Sequence, residues 1–105
     1  MEGLLNWLWT SNGKFFGYRN GDDLWTYDGK HVGRFRRDVI YNCHGHYLGE
    51  IKNDTRLIRR KNKSSSSSCS FTPKAKRMAY MKRVDYIGYV MLAGYEDFLP
   101  PESFL

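Results

Sequence analysis

The sequence predicts a single all-β domain built from repeated antiparallel hairpins. Three observations carry that expectation: an aromatic-rich composition, a 16-residue repeat, and a turn dipeptide at the same place in each copy. At 105 residues the chain fits one domain (residues 1–105) with a small core. It holds 3 Trp, 8 Tyr and 6 Phe. Such side chains suit a pleated, half-buried surface. Alanine, the best helix former, occurs only at Ala75, Ala79 and Ala93.

The repeat reads LWTSNGKFFG from Leu8, LWTYDGKHVG from Leu24 and IYNCHGHYLG from Ile40. Trp9, Trp25 and Tyr41 keep the 16-residue step, as do Gly13, Gly29 and Gly45, and Gly17, Gly33 and Gly49. Self-similarity at a fixed period marks repeat architecture. Each copy centres on a dipeptide, Asn12-Gly13, Asp28-Gly29 or His44-Gly45. Asn-Gly and Asp-Gly favour the two-residue type I′ hairpin turn, in which both residues take positive φ; His is less suited to that region. That turn predicts Trp9 opposite Phe16, Trp25 opposite Val32 and Tyr41 opposite Leu48. It also sets Gly17, Gly33 and Gly49 across from Leu8, Leu24 and Ile40. A glycine there leaves room for a backbone or a large side chain.

Asn20-Gly21 and Arg36-Arg37 read as connecting turns, so the first 58 residues form one antiparallel meander. A two-stranded unit cannot cover its own apolar face, so neighbouring copies must cover one another. A fourth copy starts at Leu57-Ile58, one residue out of step, and breaks off into a flexible, basic, serine-rich insertion, residues 59–72. Tyr86-Ile87-Gly88-Tyr89 resembles Phe15-Phe16-Gly17-Tyr18, which predicts that the tail from Tyr86 completes the sheet until Pro100-Pro101 ends it. A second alignment sets Tyr80 in the Trp column and Gly88 in the last one. Lys74–Arg83 reads as a short helix, with Thr72 as N-cap and Pro73 at its first position. The expected architecture is therefore four pseudo-repeated antiparallel β-hairpin units, the fourth split by a basic insertion.

The run GKFFGYRNGDDLWTYDGKHVGRFRRDVIYNCHGHYLGEIKNDTRLI and the tail YIGYVMLAGYEDF resemble the bacterial four-fold beta flower proteins. The resemblance covers residues 9–63 and 71–99. It implies four β units around a pseudo-four-fold axis and brings no catalytic residues or cofactor with it. The five serines from Ser64, Cys69 and the His44-Gly45 turn depart from the family's pattern.

Charge is partitioned. Residues 1–54 balance seven acids with seven bases; residues 55–83 hold ten bases and no acid; residues 84–105 hold four acids and no base. The ten bases are Arg56, Arg59, Arg60, Lys61, Lys63, Lys74, Lys76, Arg77, Lys82 and Arg83. One reading is low-specificity nucleic-acid binding by this segment, with aromatics for base stacking. The other is a solvated basic loop that offsets the acidic tail.

Cys43, His44 and His46 are ligand types, but a structural zinc site needs about four ligands. The repeat sets them level with Ser11 and Asn12, and with Tyr27 and Asp28, so they read as hairpin residues. His31 with Asp38, or the Asp22-Asp23 pair, are the acid–base candidates, and no nucleophile–base motif, phosphate loop or dinucleotide fingerprint accompanies them. His31 breaks a column that holds Phe15 and Tyr47 elsewhere. Trp7, Phe15, Tyr18, Tyr27 and Tyr47 exceed what one small core buries, which points to a partner surface or a homo-oligomer. The sequence shows no signal peptide and no apolar run near the roughly 18 residues a membrane span needs, and its two cysteines make no disulfide framework. The expectation is a soluble, cytoplasmic binding or structural module, without catalysis, metal, cofactor or membrane partner. A filled central axis would favour a scaffold, and an open pocket would favour a ligand.

Overall fold

The computed structural model describes residues 6–62 and 70–104. Seven strands run as a meander: β1 (Asn6–Thr10), β2 (Phe15–Asn20), β3 (Asp23–Thr26), β4 (His31–Arg36), β5 (Val39–Tyr41), β6 (Tyr47–Lys52) and β7 (Arg56–Arg60). Each pairs antiparallel with the next, and β1 then pairs with β7 to close a barrel. Alternating directions around an odd number of strands make that closing pair parallel, with Trp9 beside Arg56 and Thr10 beside Leu57. An eighth strand, β8 (Tyr95–Asp97), takes the rest of the β7 edge, Ile58 to Arg60. The edge of β7 is thus shared end to end by β1 and β8.

The hairpin turns differ from the type I′ expectation. Only the glycines take positive φ, at 93° for Gly13, 91° for Gly29 and 83° for Gly45, and Asn12, Asp28 and His44 do not. The Gly13 N–H donates to the Thr10 carbonyl and the Thr10 N–H to the Lys14 carbonyl; Gly29 and Gly45 repeat the pattern. This is a three-residue loop, a type I turn followed by a left-handed glycine in a bulge. His44 fits because its position asks for no positive φ. The bulge slips the register by one: Trp9 pairs with Phe15, Trp25 with His31 and Tyr41 with Tyr47. The pairings Leu8–Gly17, Leu24–Gly33 and Ile40–Gly49 stand as expected.

The slip decides which side chains enter the barrel. Successive residues of a strand face opposite ways. Phe16, Val32 and Leu48 turn inward and join Leu8, Leu24, Ile40 and Leu57, with Phe35, Ile51 and Phe98, in one buried cluster. The axis is therefore filled. A Cβ on Gly49 would lie 2.6 Å from the Phe98 ring, so this glycine makes room for the plug. Phe104, in a 3-10 turn over Pro101–Phe104, packs against the same cluster.

The connectors explain the offset of Leu57. Two residues join Asn20 to Asp23 and Arg36 to Val39, whereas three, Asn53, Asp54 and Thr55, join Lys52 to Arg56. Three tail expectations change. Lys74–Arg83 forms no helix and runs extended, because its backbone groups bond to the hairpin turns. The strand that meets β7 is Tyr95–Asp97, while Tyr86–Tyr89 crosses the first hairpin turn instead. Arg59 and Arg60, placed in the insertion, belong to β7, and residues 63–69 of that insertion lie outside the described residues.

Candidate functional site

The register slip turns Trp9, Phe15, Trp25, His31 and Tyr47 to the outside of the barrel, yet all five are buried. Residues 71–89 do much of the covering. They form a strap that passes the three hairpins in reverse order and touches the barrel at every third residue. The N–H of Phe71 donates to the Cys43 carbonyl (3.0 Å), Lys74 to His31 Nδ1 (2.9 Å) and Arg77 to the Gly29 carbonyl (2.7 Å). Tyr80 donates to the Tyr27 carbonyl (2.7 Å), Tyr86 to Gly13 (2.7 Å) and Tyr89 to Ser11 (2.8 Å). Their side chains follow: Arg77 lies 3.9 Å over Trp25, Arg83 4.2 Å over Trp7, and Tyr86 stacks on Trp9 at 4.0 Å. Three residues per turn is the period of a polyproline II chain, whose backbone bonds outward and not to itself. A Cβ on Gly13 or Gly29 would strike the Tyr86 or Arg77 carbonyl, so the turn glycines also seat the strap.

A second row with the same period faces away from the barrel. Met78, Met81, Val84, Ile87 and Val90 are 78–91% exposed. Exposed apolar patches beyond a few hundred Å² mark interaction sites.

His31 sits beneath the strap with Asp23 and Lys74. Its ring stacks on Trp25, and Phe71 tilts over it. Because Nδ1 accepts the Lys74 N–H, the neutral ring carries its proton on Nε2. Nε2 lies 3.0 Å from Asp23 Oδ1, an electrostatic contact off the N–H axis. Asp23 also meets Lys74 Nζ at 2.6 Å and Arg34 Nε at 3.6 Å. Burial holds the His31 pKa below the usual histidine value, despite the opposing Asp23 charge. Burial works against ionised Asp23, but the Lys74 hydrogen bond and the His31, Lys74 and Arg34 charges outweigh it and hold the carboxyl below its usual range. The expected partner of His31 was Asp38; its partner is Asp23. In the slipped register Trp25 faces His31, and Asp23 lies two residues along the same face of β3. The type I′ register hid that relation.

Beside this cluster lies a cleft of about 620 Å³ between the second and third hairpins and the strap. Val32, Leu48, Pro73 and Phe104 form its apolar wall; Lys30, Lys74, Lys76, Asp28 and His44 add polar groups, and Cys43 lines it as well.

The ten bases have several fates. Arg56 is buried, bonds to the Ser11 and Ile87 carbonyls and lies 4.0 Å over Tyr89. Arg59 pairs with Glu96 at 3.5 Å, and Arg60 with Glu50 at 3.1 Å. Tyr47, whose hydroxyl bonds to Glu50 and accepts the Arg60 N–H, has its pKa pushed up to about 12, chiefly by burial. Lys74 is held by Asp23, and Arg77 and Arg83 lie on tryptophans. Lys61, Lys76 and Lys82 are exposed, and Lys63 lies outside the described residues. Cys43 is a free thiol, and the described residues include no group of three or more His, Cys, Asp or Glu able to hold a metal. No helix among them is long and apolar enough to cross a membrane.

Closed β architecture, repeated hairpins and a tail strapped over their turns define a small β-repeat protein. The chain belongs to the 4-fold beta flower family, whose model matches residues 4–90. Comparison with curated proteins and with solved structures returned no match.

Proposed function

We propose that this chain is a non-catalytic interaction module that pairs with a second copy of itself through the outward row of the strap. The observation that carries this reading is the line Met78, Met81, Val84, Ile87, Val90. Five apolar side chains exposed in one row form a continuous patch, the kind of surface that a specific interface, roughly 800 Å² per partner, buries. The row also suits a two-fold arrangement. Antiparallel apposition about Val84 sets Met78 across from Val90 and Met81 across from Ile87, so one patch serves both copies. The filled axis and the engaged Nδ1 of His31 support a role without catalysis. We further read β7 and β8 as the two halves of a fourth unit, since they pair antiparallel and Leu57 holds the column of Leu8, Leu24 and Ile40. The cytoplasm suits the free Cys43 thiol.

Light scattering after size exclusion, across micromolar concentrations, tests the reading. The expected result is a dimer, and a monomer for Met81→Lys/Ile87→Lys with unchanged circular dichroism. A monomer at every concentration would sink it. Salt-sensitive gel shifts of single-stranded RNA, lost in Lys76→Glu/Lys82→Glu, would instead favour nucleic-acid binding by the basic segment.

A further inference from the structure

We propose that the cleft between the second and third hairpins binds a small organic anion with a compact apolar body. This stands apart from self-association, because the cleft and the outward row share no residue. Its volume of about 620 Å³ falls in the range of small-ligand sites. Its wall is mostly apolar: Val32 and Leu48 belong to the barrel core, and Pro73 and Phe104 close over them from the strap and the tail.

The charge around this wall selects the ligand. Lys74 is spoken for, with its ammonium 2.6 Å from Asp23. Lys30 contacts the Phe104 carbonyl, a neutral acceptor, and makes no ion pair with an acid among the described residues. Lys76 is exposed and has no acidic contact among the described residues. Among the described lining residues, two ammonium groups without an acidic partner therefore face one carboxylate, Asp28. A cation would meet repulsion, and a neutral apolar molecule would leave the ammonium groups unused. A monoanion, as carboxylate or sulfonate, places its charge by Lys30 and Lys76 and its body against Leu48 and Phe104.

The repeat supplies a variant that closes the cleft without disturbing the turn. Cys43 occupies the loop position held by Tyr27 in the second hairpin, so Cys43→Tyr installs a side chain that the equivalent turn of the second hairpin carries. The probe is 8-anilinonaphthalene-1-sulfonate, followed by fluorescence on the full chain, with octanoate and octanol as competitors. We expect one saturable site, displaced by octanoate and roughly tenfold less well by octanol, as a lost charge contact predicts. Lys76→Glu should weaken the probe about tenfold, and Cys43→Tyr should abolish the signal. Met81→Glu, on the outward row, should leave it unchanged, which separates this site from the self-association surface. Absence of a saturable site, equal displacement by both competitors, or full binding in folded Cys43→Tyr would each overturn the proposal.

Discussion

His31 is where a single side chain departs most from its repeat. Its column holds Phe15 and Tyr47, and like them it fills the outer layer with an aromatic ring. Unlike them it offers an acceptor, which takes the Lys74 N–H and pins the start of the strap. That bond makes acid a threat. A histidine whose folded pKa is held below the unfolded value binds fewer protons when folded. Its contribution is complete above about pH 6.5 and is lost as pH falls through the depressed folded value. Asp23 acts in the same direction lower down, complete above the ordinary aspartate value of about 3.9 and lost as pH falls through its own depressed value. The thermal stability of the natural chain should therefore fall between pH 7.5 and pH 5. His31→Phe should cost about 1 kcal/mol at pH 7.5, for the lost hydrogen bond, and should flatten that slope. An unchanged slope in the variant would show that other groups set the acid response.

At the scale of elements, the strap and the barrel divide the work. The hairpins are local, closed by turns that their own threonines support; Thr10 and Thr26 hydroxyls accept the Lys14 and Lys30 N–H groups. The strap has no internal ladder and depends on the surface beneath it. Segments with few buried contacts open before the core does. Tyr86 is the strongest single tie, since it bonds to the Gly13 carbonyl and stacks on Trp9, whose Nε1 donates to the Val84 carbonyl. Tyr86→Ala should speed hydrogen exchange at Arg77, Tyr80 and Tyr89 and shift tryptophan emission to the red, with β1–β7 protection intact. Simultaneous loss of protection in the strands would mean that strap and barrel fold as one unit.

For the whole molecule, barrel closure and the plug decide stability. Phe98 comes from beyond β8 yet packs on Phe16 and over Gly49. Truncating a buried phenylalanine typically costs about 3–5 kcal/mol. Phe98→Ala should fall in that range by denaturant unfolding, whereas Leu99→Ala, on an exposed neighbour, should stay within about 0.5 kcal/mol. Similar costs at both positions would show that the tail does not plug the barrel.

The sequence by itself determined the all-β class, the three hairpins and the leucine–glycine columns, because each rests on residues close in the chain. The 16-residue period carries them openly. It left the register of the Trp column to turn geometry, since Asn-Gly serves a two-residue loop and a three-residue loop alike. That single choice moved Phe16, Val32 and Leu48 from the face of Trp9, Trp25 and Tyr41 to the face of Leu8, Leu24 and Ile40 and concealed the Asp23–His31–Lys74 cluster. The strap was legible in principle: aromatic and basic residues recur every third position from Phe71 to Tyr89. The composition of residues 74–83 nonetheless favours a helix. Only the tertiary structure decided that this segment lies extended, that β8 begins at Tyr95 and that β1 meets β7. Those outcomes depend on backbone groups far apart in sequence finding their partners on a closed surface, and that surface exists only once the barrel has formed.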